Sequence, residues 1–149
     1  MLRVRPSAWW ADRATVEDEN GVLTRVRTSS WKEAAAFELD GRPYTVRRVG
    51  WPGVFTLRRE GQEVATARRL SWFNSRIELT VEGATYGLKL RSLFRSEYVL
   101  SRRGRRIGSV RLTSWWTRRA EADFPDEIPR DVQVFAIWLV LAMWKRASN

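Results

Sequence analysis

The feature that most constrains this chain is an apolar run near its end. Every side chain from Val134 to Trp144 is apolar, with Pro129 and Asp131 before the run and Lys145 after it. A membrane-spanning helix needs about 20 apolar residues, whereas a run of about 10 to 14 is more typical of a buried helix. The flanking proline, acid and base are typical of a helix start and end. The sequence therefore predicts a helix over about 129–146 that is enclosed on every side, because it has no polar face for water.

Turn signals recur along the chain at intervals of 20 to 22 residues, each ending in glycine. Asn-Gly and Asp-Gly are strong hairpin signals, because a type I′ turn needs positive φ at both central residues. We therefore expect Gly21 and Gly41 to lie at hairpin tips with positive φ, and all five tips to share one end of a sheet. The five signals are Asn20-Gly21, Asp40-Gly41, Glu60-Gly61, Glu82-Gly83 and Arg103-Gly104.

The residues that flank these turns alternate between apolar and polar, as in "FELDGRPYTV" and "IELTVEGATYGLKL". This period is typical of strands with one buried and one wet face. Five hairpins give ten strands, and "LRVR" and "RRAEADF" bring the number to about twelve. A helix of about 24 Å matches strands of about 20–27 Å. The prediction is a single mainly-β domain over 1–149: an antiparallel barrel, with strands over about 2–124, closed around the C-terminal helix.

This predicted architecture resembles the tubby-like superfamily, which includes tubby C-terminal domains, LURP-one-related proteins and phospholipid scramblases. The segment "ADFPDEIPRDVQVFAIWLVLAMWKR" is similar to the acidic, proline-containing lead-in and central helix of scramblase-like and LURP-one-like domains. The likeness of architecture covers nearly the whole chain, and the likeness of residues covers this segment. It implies a bacterial-type, single-domain member. Tubby domains bind phosphoinositides through basic residues of the barrel, so the resemblance implies an anionic lipid ligand.

The residue types that are missing narrow the chemistry. The chain has no His and no Cys, so the usual zinc ligands, thiol nucleophiles and Ser-His-Asp triads are excluded. No phosphate-binding glycine loop is present. We therefore expect no catalysis, no cofactor and no metal. The N-terminus lacks the apolar stretch of a signal peptide, which favours a cytoplasmic protein, or one peripheral to the membrane.

The acidic lead-in to the helix raises the question of calcium, because scramblases are associated with calcium near this region. It has two prolines and no glycine, so it is not an EF-hand. Loop solubility and compensation of the helix dipole explain its acids better than calcium binding does. The residues concerned are Glu121, Asp123, Asp126, Glu127 and Asp131.

Basic residues concentrate in the middle of the chain. Residues 41–120 hold 18 basic and five acidic residues, within a net charge of +10. Such a surplus attracts polyanions. An anionic phospholipid or another acidic ligand is the partner we favour. A structural or protein-interaction scaffold is the alternative, since an arginine-rich barrel face needs no ligand. Nucleic acid is less favoured, because no recognition motif accompanies the charge.

Large aromatic residues follow each turn by ten or eleven residues, at the links between hairpins: Trp31, Trp51, Trp72, Phe94 and Trp115. They are interpreted either as clamps for the links or as interfacial aromatics beside arginines. We expect an anionic-ligand site at the arginines within four residues of these aromatics, Arg47, Arg48, Arg68, Arg69, Arg91 and Arg111. Their apolar companions would be Trp51, Trp72 and Trp115.

Overall fold

The structure is a computed structural model, which describes residues 1–6, 12–30, 34–50, 53–71, 76–92, 97–113 and 119–147. Within these residues it contains twelve strands followed by one helix. Their bounds are β1 Leu2–Pro6, β2 Arg13–Asp18, β3 Gly21–Ser30, β4 Ala34–Leu39, β5 Arg42–Val49, β6 Val54–Arg59, β7 Gln62–Ser71, β8 Arg76–Val81, β9 Ala84–Ser92, β10 Glu97–Arg102, β11 Arg105–Leu112, β12 Ala120–Asp123 and α1 Arg130–Ala147.

The twelve strands form a closed antiparallel barrel in chain order. Each strand pairs with its sequence neighbours, and β1 closes the barrel by pairing with β12 through Arg3 opposite Glu121. Closure removes the free strand edges that would otherwise pair with other chains. The predicted barrel of about twelve strands with a C-terminal helix is confirmed.

The helix α1 lies inside the barrel. Every residue from Asp131 to Val140 is buried, which is possible only if strands surround the helix on all sides. Contacts of Trp138 hold the helix in place. Its Nε1 donates a hydrogen bond to the Thr28 hydroxyl at 3.0 Å, and its ring packs edge-on against the Phe55 ring, with 5.6 Å between the ring centroids. The expected burial of Phe135, Trp138, Leu139 and Met143 is confirmed, with at most 9% of each exposed.

The predicted alternation along the strands is also confirmed. On β8, Ile77, Leu79 and Val81 are buried, while Glu78 between them is only half-buried. The same pattern on the other strands gives an inner layer of aliphatic and aromatic side chains that packs against the helix. The core is therefore a cylinder of strand residues around a rod of helix residues.

Four of the five turns are two-residue turns in which both central residues have positive φ. Asp40 has φ 53° and Gly41 has φ 75°, and the turns led by Glu60, Glu82 and Arg103 repeat this geometry. Positive φ at both positions is the requirement of a type I′ turn. Hence the weaker Glu-Gly and Arg-Gly signals form the same turn as Asp-Gly.

The first turn differs from the prediction by one residue. Gly21 has the expected positive φ, at 119°, but it is the first residue of β3 and lies opposite Asp18. The loop is therefore Glu19 and Asn20, and the Asp18 side chain accepts a hydrogen bond from the Asn20 amide at 2.8 Å. Aspartate in this position is typical of a type I turn followed by a glycine bulge, and the β2–β3 register shifts nearby.

The chain-order topology gives the barrel two distinct ends. The five hairpin turns lie at one end, called the tip end. At the other, the link end, β3 ends and β4 begins, and the same holds for every later pair of hairpins. The helix starts at the tip end, where Asp131 contacts Tyr44, and runs toward the link end. The aromatic residues predicted at the links, Trp31, Trp51, Trp72, Phe94 and Trp115, lie outside the described residues.

Candidate functional site

Four of the six arginines predicted to bind an anionic ligand lie exposed on the outer face of the barrel, near the link end. They occupy alternate strands: Arg47 on β5, Arg68 on β7, Arg91 on β9 and Arg111 on β11. Alternate strands are about 10 Å apart, because neighbouring strands lie about 4.7–4.9 Å apart. The hairpin repeat thus spreads these arginines in a band around the barrel.

The other two predicted arginines, Arg48 and Arg69, lie on the inner face. Each directly follows an outward-facing arginine, so the pleat of the strand turns it inward. Arg48 lies opposite Phe55, which packs on the helix, and Arg69 lies opposite the buried Ile77. The six arginines were predicted to form one surface. In the structure they are divided between the outer face and the inside of the link end.

Arg48 is held by a close approach to the backbone. Gly53 is buried and has φ +103°, and a side chain at this position would overlap the Arg48 Nε atom. The backbone conformation disfavours L side chains at this position, and a side chain here would also have to displace the flexible Arg48. Gly53 and Arg48 are therefore closely packed.

Arg69 is partly removed from water. Burial lowers the pKa of its guanidinium, while the nearby Tyr98 acts to raise it. Arginine stays charged under ordinary conditions because its reference pKa exceeds 12. The inner face of the link end therefore carries a positive charge in a poorly solvated position.

Arg111 differs from the other outer-face arginines because an acid already neutralises it. It donates to the Glu121 carboxylate at 3.1 Å across the β11–β12 ladder. Arg5 is likewise bonded to Glu17 on the neighbouring part of the barrel. On the outer face around the β1–β12 closure, basic residues are thus paired with acidic ones.

The outer-face cations on β5, β7, β8 and β9 are not neutralised in this way. Within the part of the chain that the structure describes, none of them forms an ion pair, although Glu78 lies opposite Arg68 in the β7–β8 register. All are exposed at the link half of their strands. We call this set the basic rim: Arg47, Arg68, Arg76, Lys89 and Arg91.

Like charges face each other directly at this end of the barrel. Arg76 lies opposite Lys89 in the β8–β9 ladder, and Arg13 lies opposite Arg27 in the β2–β3 ladder. Like charges in directly opposite positions destabilise a sheet by about 0.2–1 kcal/mol. The Arg76–Lys89 pair therefore adds repulsion to the sheet and gives it no stability.

Two exposed aliphatic side chains, which were not among the predicted site residues, lie among the rim cations. Val49 is 56% exposed and Leu70 is 44% exposed. Each comes directly after an arginine pair, in "RRV" and "RRL", and each shares the outer face with the first arginine of its pair, Arg47 or Arg68. The repeated Arg-Arg-aliphatic triplet was the available signal. The companions that were predicted, Trp51, Trp72 and Trp115, lie outside the described residues.

The tip end holds a different polar group, built around the start of the helix. Asp131 is buried; its Oδ2 accepts a hydrogen bond from the Tyr44 hydroxyl at 3.1 Å, and its Oδ1 accepts one from the Val132 amide at 2.8 Å. The pKa of Tyr44 is raised, mainly by burial. The nearby Arg59 acts to lower this pKa, and Asp131 acts to raise it. Both oxygens of Asp131 are satisfied, so this group fixes the helix start.

The acids of the helix lead-in are dispersed. Glu121 is bonded to Arg111, Glu127 accepts from Arg102 at 3.2 Å, and Asp131 is inside the barrel. Among the described residues no cluster of three or more acidic side chains is arranged to hold a metal ion. The observed roles of Glu121, Glu127 and Asp131 are ion pairs and the helix start.

Comparison with protein-family models, with curated proteins and with solved structures finds no match to this chain. No helix within the described residues combines the length and apolar character that crossing a bilayer requires.

Proposed function

We propose that the basic rim binds this protein reversibly to membranes that contain anionic phospholipids. The observation that carries the proposal is the combination at the link end: cations that form no ion pair with another described residue share the outer face with the exposed side chains of Val49 and Leu70. Anionic headgroups match the cations, and the upper acyl region matches the aliphatic side chains. The phosphate backbone of a nucleic acid would match the cations but offers nothing to an aliphatic side chain.

The expected strength of this contact is that of a peripheral protein. A basic residue near an anionic membrane contributes about 1 kcal/mol, so the five rim cations contribute about 5 kcal/mol. Alone, this corresponds to a dissociation constant of a few tenths of a millimolar, about tenfold for each 1.4 kcal/mol. Partial burial of the two aliphatic side chains, at about 25 cal/mol per Å², brings the affinity toward the micromolar range.

The proposal includes two expectations from the sequence. One is membership of the tubby-like superfamily, which the order of hairpins followed by an enclosed C-terminal helix supports. The other is a cytoplasmic location with reversible attachment to the inner membrane surface. The cytoplasmic leaflet of many membranes is negatively charged, which suits a basic docking face.

Co-sedimentation with vesicles tests the proposal. Vesicles of phosphatidylcholine alone are compared with vesicles that also contain phosphatidylglycerol, at low salt. We expect binding only to the anionic vesicles, and loss of most of it in the triple variant Arg47→Ser, Arg76→Ser and Arg91→Ser. Three exposed arginines are removed, so the melting temperature should change little.

The tip end offers a matched control. The triple variant Arg42→Ser, Arg103→Ser and Arg105→Ser removes the same charge from exposed positions at the opposite end, and it should retain most of the binding. Equal loss in both variants would mean that net charge, not the rim, attracts the vesicles. Equal binding of DNA, heparin and vesicles with one salt dependence would favour a general polyanion binder. No binding at low salt would favour the protein-interaction scaffold.

A further inference from the structure

Two cations of the basic rim, Arg76 and Lys89, lie directly opposite each other in the β8–β9 ladder. Their neighbours along the strands, Ile77 and Leu88, are buried, so both cations point to the outer face, where they are exposed. Side chains in directly opposite positions start from Cβ atoms about 4.5–5.5 Å apart. Both are long and flexible, so their charged ends can reach one group in the solvent. We call Arg76 and Lys89 the facing pair.

In the described ladders, the strands on either side place no acid opposite the facing pair. Arg76 lies opposite Ser71 on β7, and Lys89 lies opposite Val99 on β10. Arg91, two residues beyond Lys89 on the same face of β9, adds a further exposed positive charge. The immediate surroundings of the facing pair therefore add to its positive charge.

The two acids that lie further along these strands have other neighbours. Glu78 on β8 lies opposite Arg68 on β7, and Glu97 on β10 accepts a hydrogen bond from Arg106 at 2.8 Å. Among the residues that the structure describes, neither acid forms an ion pair with the facing pair. An anion bound between the two side chains would offset their repulsion, which no described carboxylate does.

A phosphate monoester suits the facing pair better than a phosphodiester does. The monoester has three acceptor oxygens and carries up to two negative charges, whereas the bridged phosphate of a diester has fewer free oxygens and a single charge. A guanidinium donates two parallel hydrogen bonds to phosphate oxygens, and an ammonium group can donate to the remaining oxygen. Adjacent positive charges also favour the doubly charged form of the monoester.

We propose that the facing pair binds the phosphate monoester headgroup of a membrane lipid, the group that phosphatidic acid presents. The inference rests on the proposed function and adds a headgroup preference to it: the whole rim attracts acidic membranes, and the facing pair selects among them. A lipid is the source because Leu70, on the strand next to Arg76, is exposed on the same face. It offers an apolar contact that a soluble phosphate compound would not use.

Vesicle binding tests this preference. Phosphatidylcholine vesicles that contain phosphatidic acid are compared with phosphatidylcholine vesicles that contain phosphatidylglycerol, with compositions adjusted at each pH to the same electrophoretic mobility. We expect about tenfold tighter binding to the phosphatidic acid vesicles, the effect of one added hydrogen bond to a charged group. The preference should grow between about pH 6 and about pH 8, because a phosphate monoester loses its second proton near a pKa of about 6. Arginine and lysine side chains stay charged throughout this range.

Two double variants locate the site. Arg76→Gln with Lys89→Gln removes the facing pair and should bring binding to the two kinds of vesicle to the same level. Arg47→Gln with Arg68→Gln removes the same charge from rim positions on alternate strands, about 10 Å apart, so it should weaken binding to both kinds of vesicle and keep the preference. The facing-pair variant should melt no lower than the native protein, because it removes a repulsion.

The outcomes separate this inference from the proposed function. Equal binding of the native protein to both kinds of vesicle would overturn the headgroup site and leave the proposed function standing. A preference that survives in the facing-pair variant, or that both double variants lose, would also overturn the site. Binding to neither kind of vesicle would overturn the proposed function, and the headgroup site with it.

Discussion

The two ends of the barrel differ in how their charged and polar groups are paired. At the tip end two polar contacts are made: Tyr44 and Asp131 bond to each other inside the barrel, and Glu127 offsets Arg102 where that arginine faces Arg105. At the link end Arg76 faces Lys89 with no ion pair between described residues to offset either charge. The tip-end contacts hold the start of the helix, whereas the facing cations of the link end add repulsion to the sheet.

This difference indicates where function lies. Natural sequences are mostly consistent from local turns to global packing, and inconsistencies concentrate at functional positions. The turns, the strand alternation and the helix start are consistent in this chain. The facing Arg76 and Lys89, and the Trp144 Nε1 donor with no acceptor among the described residues, are not. Both belong to the link end, whereas exposed aliphatic side chains occur at both ends, Val49 at the link end and Val22 at the tip end.

The largest expected effect concerns the helix that both ends share. Replacing Trp138 with Ala should lower the free energy of unfolding by about 3–5 kcal/mol, because a 1% exposed indole is removed from the centre of the core. Denaturant unfolding measures this change. Trp138→Phe keeps much of the volume and loses the hydrogen bond to Thr28, so it should cost less. A cost below about 1 kcal/mol for the alanine variant, which is no more than an average substitution, would mean that the helix is not enclosed.

A smaller effect is expected at the tip end. Tyr44→Phe removes the donor to a buried carboxylate oxygen and should cost about 1–3 kcal/mol of stability, with vesicle binding unchanged. In the Asp131→Asn background the same substitution should cost less, because the two residues are coupled. Equal costs in both backgrounds would show that the contact contributes nothing. Lost vesicle binding in Tyr44→Phe would break the division between the two ends.

The pH dependence of this contact has a defined sign. Burial raises the Tyr44 pKa in the folded state, above the ordinary value of about 10. A raised folded-state pKa gives stability that is fully present below the ordinary value and is lost as pH rises through the folded-state value. The stability difference between the native protein and Tyr44→Phe should therefore shrink above about pH 10.

The sequence predicted the features that depend on neighbours in the chain. The alternation of Phe37 and Leu39, the Asp40-Gly41 turn and the apolar helix are local patterns, and the structure confirms each. The turn at Gly21 was predicted one residue too late. The Asp18 side chain accepts a hydrogen bond from the backbone N–H of Asn20 and so starts the turn earlier, whereas the prediction relied on the Asn20-Gly21 pair alone.

The parts that the sequence missed depend on distant residues or on the pleat. Tyr44 and Asp131 are 87 positions apart, so no local pattern could pair them. The two arginines of each pair were assigned to one surface because they are adjacent in sequence. In a strand, however, adjacent side chains point to opposite faces of the sheet. Applying the strand period to "RRV" and "RRL" would have placed Arg48 and Arg69 inside and Val49 and Leu70 outside.

The smallest expected effect on stability is at the link end. Val49→Ser with Leu70→Ser should change the free energy of unfolding by no more than about 0.5 kcal/mol for each substitution, because both side chains are already largely in water. Val46 is a matched control on the same strand: it is 0% exposed, so Val46→Ser should be several times more costly. Binding to anionic vesicles should weaken in the double variant, and the fraction that survives high salt should disappear, since only charge attraction would remain. Unchanged salt-resistant binding would show that these aliphatic side chains do not enter the membrane. A large loss of stability in the double variant would show that Val49 and Leu70 contribute to the stability of the fold.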